Sequence, residues 1–186
     1  QSMASVQVNA QIGEKALGSL SDMAMQLGQD TVYSANEAAQ AMLELSKGGM
    51  TAAQIKAGAL KSTLNLAATE GIALGDSATI VARTLKTFGL NAESANKAVD
   101  MLAGGSLAST AGVQDLADAL KYVGSTAKAS GYNLSDTVTA LSELTDSGLA
   151  STTAGTALNR MMLGLTLGTT KAQKAADDLG LSFTDV

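Results

Sequence analysis

The chain has 186 residues, 46% of them hydrophobic but only 3% aromatic, with 16% charged and a formal net charge of -5. It contains no Cys and no His, which removes disulfides, thiol nucleophiles, thiolate and imidazole metal ligands and the commonest general base, so no cofactor or metal is expected. Its Lys and Arg are scattered along an acidic chain, which argues against a phosphate-binding surface and direct nucleic-acid binding.

The length suits one domain or a piece of something longer, with a core built from Ala, Leu, Met, Val and Ile. There is no Pro, so glycine must end the helices; its 19 occurrences exceed the usual ~7% share. Gln1 opens the sequence without a leader pattern, and the chain is read as a fragment or a processed chain.

In chain order, a helix is predicted over 8–28, and residues 1–33 are read as a leading helix continuing from a preceding helical region. Residues 34–186 are read as the core domain. "SANE", with Ser34 as cap and Glu37 three residues on, opens a helix over 35–47 whose stripe is Ala38, Ala41, Met42 and Leu45. "GMT" at Gly49 closes it, and Thr51 with Gln54 opens a helix over 52–70. Ala78, Val81, Leu85 and Phe88 stripe a helix over 76–88 that ends at "GLN", Gly89, before a helix over 92–103.

The softest stretch is "AGGSLASTAG", residues 103–112, read as a loop, a hinge or a distorted link between two halves. Leu116, Ala119, Leu120 and Val123 mark a helix over 112–130. "GYNLS" at Gly131 and "GLAS" at Gly148 then bound helices over 135–147 and 151–167, and a last helix over 170–179 precedes "GLS" at Gly180. At each boundary glycine takes the left-handed conformation, the next residue folds back onto the last turn, and a polar residue starts the following helix. The expected fold class is all-α, a stacked helix-turn-helix array of about eight or nine short helices. The glycine spacings are too uneven for a regular solenoid.

"LASTTAGTALNRMM", residues 149–162, poses the main functional question. Read as a membrane span over 149–170, its five leucines at about -0.5 kcal/mol each are cancelled by Arg160 at about +2.5 to +3.5, before its many polar residues are counted. A close helix seam fits better. Gly155, flanked by Ala154, Thr156 and Ala157, admits another backbone, and threonine hydroxyls can bond back to helix carbonyls.

Catalytic readings fare worse. The carboxylate pairs Asp115 with Asp118 and Asp177 with Asp178 read as solvated faces or helix-start acids. "AGGS" at 103–106 lacks the strand before it and the Lys after it that a phosphate loop needs. Met161 and Met162 suit core filling better than an adaptable groove. The residues singled out are therefore structural: Gly49, Gly89, Gly131 and Gly148 at turns and Gly155 at the seam.

The run "AMLELSKGG", the sequence Phe88-Gly89-Leu90 with Asn91-Ala92, and Ala154-Gly155-Thr156-Ala157-Leu158 before Arg160 resemble the conserved domain of phage tail tape measure proteins, the phage-related minor tail protein family. The resemblance covers nearly the whole chain. Family members often carry a proline after the "AGTAL" helix, where this chain has "LGTTKAQ", so its final helix is expected to begin less sharply.

The resemblance implies that the chain is a fragment of a much longer helical protein, a non-enzymatic structural component in the lumen of the phage tail, made in the host cytoplasm during assembly. Such a protein sets tail length and leaves ahead of DNA at infection. The implied partners are other copies of the chain, with a threefold arrangement suited to a tail hub, the tail tube protein, tail-tip hub or distal tail proteins and tail assembly chaperones, with host membrane contact during infection. The alternatives are a free-standing α-helical adaptor that binds a partner helix and a membrane-perturbing helical module.

Overall fold

The computed structural model describes residues 14–166, so the start of the helix read over 8–28, the helix read over 170–179 and the turn at Gly180 lie outside it. Among the described residues the fold is all-α: α1 (Glu14–Asp30), α2 (Ala35–Lys47), α3 (Leu60–Glu70), α4 (Leu74–Phe88), α5 (Ala95–Leu107), α6 (Val113–Ala129), α7 (Leu134–Asp146) and α8 (Ser151–Thr166). A short α-turn, Ala52–Gln54, and a π-helical segment, Ile55–Ala59, lead into α3, and a 3-10 turn, Ala92–Ser94, leads into α5.

The helix ends follow from local chemistry. At α2 the Ser34 N–H donates to Glu37 Oε2 at 2.8 Å while the Glu37 N–H donates to Ser34 Oγ at 3.2 Å, a complete capping box. These bonds to Ser34 hold the Glu37 carboxyl below its ordinary pKa of 4.5. Thr51 and Gln54 form the same reciprocal pair at 2.9 and 3.3 Å, with an amide in place of the carboxylate. Asn91 and Asn133 accept from the N–H groups of Ser94 and Asp136.

The helix C-termini share one bond pattern. At Gly89, φ 65°, the Gly89 N–H reaches Lys86 O at 3.3 Å and the Leu90 N–H reaches Leu85 O at 2.8 Å. A β-carbon is disfavoured at that φ, which is why glycine serves there. The same pair of bonds recurs after Gly49, Gly131 and Gly148, at φ 94°, 84° and 90°.

Two compact units divide the chain, residues 1–104 and 105–186. In the first, α1 and α4 pack on α2, and α3 packs on α4, around Leu20, Met42, Leu45, Ile55, Leu60, Leu66, Leu74 and Val81, all fully buried. Three of its buried hydroxyls bond to main-chain carbonyls: Ser46 to Leu43, Thr63 to Ala59, and Ser77 across to Thr63 of α3 at 2.7 Å. In the second, α6, α7 and α8 pack around Leu116, Ala119, Val123, Leu141 and Ala154. Helix α5 runs across the division between the units.

Three boundaries differ from the sequence expectation. The helix over 52–70 is broken at Gly58, which adopts φ 149° and ψ -19° inside the π-helical segment. The stretch 103–112 is not all loop, because α5 continues to Leu107 through Gly104 and Gly105. Helix α4 begins at Leu74 after a left-handed Gly71, φ 65°, a turn whose N-cap is Ala73 and which therefore lacks the polar residue that marks the others.

Candidate functional site

The sequence directs attention to α8, and there a cluster of small residues meets α6. Ala154, Leu158 and Met162 lie at i, i+4 and i+8 and are buried, while the intervening Arg160 and Met161 are exposed. Gly155 lies beside them. A β-carbon built on it would strike the Ala119 carbonyl oxygen and come to 2.9 Å from Ala119 Cα and 3.0 Å from Ala119 C. Two helix backbones therefore touch with no side chain between them. Leu116, Leu120 and Val123 of α6 are buried along the same helix as Ala119. The Thr156 hydroxyl donates to Thr152 O at 2.8 Å, one turn back in its own helix.

A second close approach lies in the same unit and was not legible beforehand. A β-carbon on Gly105 would strike Val138 Cγ1 and come to 3.1 Å from both Leu116 Cδ1 and Ser142 Oγ. The Ser142 hydroxyl donates to Gly105 O at 3.2 Å. The run "AGGSLASTAG" reads locally as a loop because the residues that fill the space sit on α6 and α7, far along the chain. A helical reading through Gly104 and Gly105 was the available signal.

The remaining sequence candidates separate. Asp115 Oδ2 accepts from the Gly112 N–H at 3.2 Å and so caps α6, while Asp118 pairs with Lys121 one turn on. The two carboxylates thus serve different local bonds; Asp177 and Asp178 lie outside the described residues. Met162 is core, whereas Met161 is 55% exposed and borders a concavity of about 500 Å³ with Ala140, Leu144, Ala157, Leu158 and Glu143. Arg160 shares a smaller one of about 360 Å³ with Tyr122, Ala157 and three threonines. Among the described residues no helix is long and apolar enough to cross a membrane, and no group of three or more Asp or Glu is placed to hold a metal ion. The arrangement supplies packing surfaces and hydrogen-bonded turns.

A tape measure protein of Pneumococcus phage Dp-1 is 33% identical over 183 residues, 98% of this chain and 16% of that protein. A probable tape measure protein of Escherichia phage P2 is 28% identical over 169 residues, 91% of this chain and 21% of that protein. The chain thus spans about a sixth to a fifth of the length of these curated relatives. No solved structure gives a significant match. The profile of the phage-related minor tail proteins matches residues 21–186, taking in every helix from α2 to α8, and the chain belongs to that family.

Proposed function

We propose that this chain is a helical module of a tape measure protein, a structural component that sets tail length, occupies the lumen of the tail tube and leaves ahead of DNA at infection. The observation that carries the reading is the 33% identity to a tape measure protein sustained over 98% of the chain. The physical chemistry supports it. Charged residues at 16% fall below the usual ~25%, the Gly155 seam and the Schellman-type turns serve packing, and the acids around Asp115 act as caps and ion pairs.

In this reading the module is non-catalytic and needs no cofactor. Its partners are other copies of the chain, in a threefold arrangement at the tail hub, together with the tail tube protein, tail-tip hub or distal tail proteins and the assembly chaperones. Host membrane contact follows ejection. The turns at Gly49, Gly89, Gly131 and Gly148 and the seam at Gly155 keep the module folded through assembly.

Cross-linking mass spectrometry of purified virions tests location and partner together. Peptides from this segment should cross-link to the tube protein in filled particles and be lost from particles that have ejected their DNA. A segment absent from the tails of filled particles, or bound only to non-tail proteins, contradicts the proposal and supports an adaptor role.

A further inference from the structure

One flank of α8 packs on α6 and the other carries an apolar stripe that runs out into the open. Leu158, Met161 and Leu165 lie at i, i+3 and i+7, and the stripe passes from buried Leu158 to Met161 and Leu165, which are 55% and 47% exposed. The stripe borders the concavity of about 500 Å³ between α7 and α8, where every lining residue except Glu143 is apolar. Ala140, Leu144 and Ala157 keep its walls low. A furrow between two helices, lined by small and aliphatic side chains, is the shape that receives the ridge of a third helix.

Residues 167–186 follow α8 directly and lie outside the described residues, but their sequence supplies such a ridge. Thr170 and Gln173 stand three apart, the same threonine-glutamine pair that forms both reciprocal bonds at Thr51 and Gln54. Ala172, Ala175, Ala176 and Leu179 then fall at i, i+3, i+4 and i+7 with polar residues between them. Gly180-Leu181 repeats the Gly-Leu pair that follows α4 and α7. The family profile also continues through this segment to residue 186. A ten-residue helix is marginal in water by itself, so its apolar face needs a partner.

The length of chain selects that partner. Residues 167–169, with Gly168 at their centre, make a short link from the end of α8 at Thr166, and short links between helices give antiparallel neighbours. Running back, ten helical residues cover about 15 Å, while Ala157 lies about 13.5 Å before the end of α8, so the returning stripe matches the open furrow in length. We propose that residues 170–179 form a helix that folds back antiparallel to α8 into the concavity between α7 and α8, its stripe from Ala172 to Leu179 covering Met161 and Leu165. Helix α8 is then packed on both flanks, by α6 at the Gly155 seam and by the chain that follows it. The docking concerns the second unit alone and does not depend on the function proposed above.

Hydrogen exchange and methionine oxidation of the whole chain, both read by peptide mass spectrometry, test the contact from its two sides. In the parent, amides of residues 173–179 should exchange at least about tenfold more slowly than unstructured chain. Met161→Asp should abolish that protection, and because the position is exposed, α8 itself should keep its packing. Met25 and Met161 are almost equally exposed among the described residues, 51% and 55%, so a docked segment should make dilute peroxide oxidise Met161 several-fold more slowly than Met25. Ala175→Asp places a charge in the stripe, outside α1 to α8, and should bring the two oxidation rates together. Exchange at the unstructured rate over 173–179 in the parent, or equal oxidation of Met25 and Met161 there, overturns the proposal. So does protection that survives both substitutions, or protection that grows with protein concentration, which would put a second copy of the chain in the furrow. Should Met161→Asp fail to fold, Ala175→Asp decides the question.

Discussion

Gly155 and Gly105 lack side chains because other atoms already occupy the space a β-carbon would need, whereas Gly164, on the same helix as Gly155, has nothing within 4 Å. The contrast gives a direct test. Gly155→Leu forces α8 off the Ala119 backbone and should lower stability by about 1–3 kcal/mol for each overpacked contact. Gly164→Ala should instead raise stability by about 0.5–1 kcal/mol, since alanine is the better helix former where nothing is displaced. Thermal unfolding of both variants checks this; equal shifts would show that the seam does not constrain position 155. At Gly89 the constraint is the left-handed backbone, φ 65°. Gly89→Val should cost about 1–2 kcal/mol, because a β-branched residue tolerates positive φ poorly.

The two capping boxes show how one element-level device works with and without charge. Glu37 is ionised and its pKa is lowered by the bonds from Ser34, so its contribution to stability is present above the ordinary carboxyl value of 4.5 and is lost as pH falls through the lowered value. Gln54 makes the equivalent bond to the Thr51 N–H at 2.9 Å with no group to titrate. Glu37→Gln should therefore keep α2 folded at neutral pH while flattening the acid limb of stability below about pH 4.5, read by denaturant midpoints across pH. Ser34→Ala removes the cap at every pH and should cost about 1 kcal/mol. These elements were legible in the sequence because their signals are local: the box at Ser34, the box at Thr51, and a glycine followed by an apolar residue and then a capping side chain. Gly71 escaped because Ala73 follows where a polar cap was sought. Gly58 escaped because a lone glycine within a periodic apolar stripe reads as a tolerated interruption. The Gly155 approach was suggested by its own small neighbours, but its partner Ala119 and the whole of the Gly105 contact depend on pairings between distant helices, which no local pattern encodes.

At the scale of the whole molecule, the chain is a helical segment about a sixth to a fifth as long as the tape measure proteins it resembles, divided into two compact units. Each unit buries small and aliphatic side chains between short helices. The proposed ruler role of the parent protein is tested by changing its length. An α-helix rises 1.5 Å per residue, so an in-frame deletion of about 60 residues from a helical region of the parent gene outside this module removes about 90 Å of helix. The measurement is tail length by electron microscopy in phage carrying that deletion and the matching duplication. Tails shorter and longer by about that amount, with otherwise normal particles, are the expected result; normal particles whose tail length is unchanged in both would contradict the account.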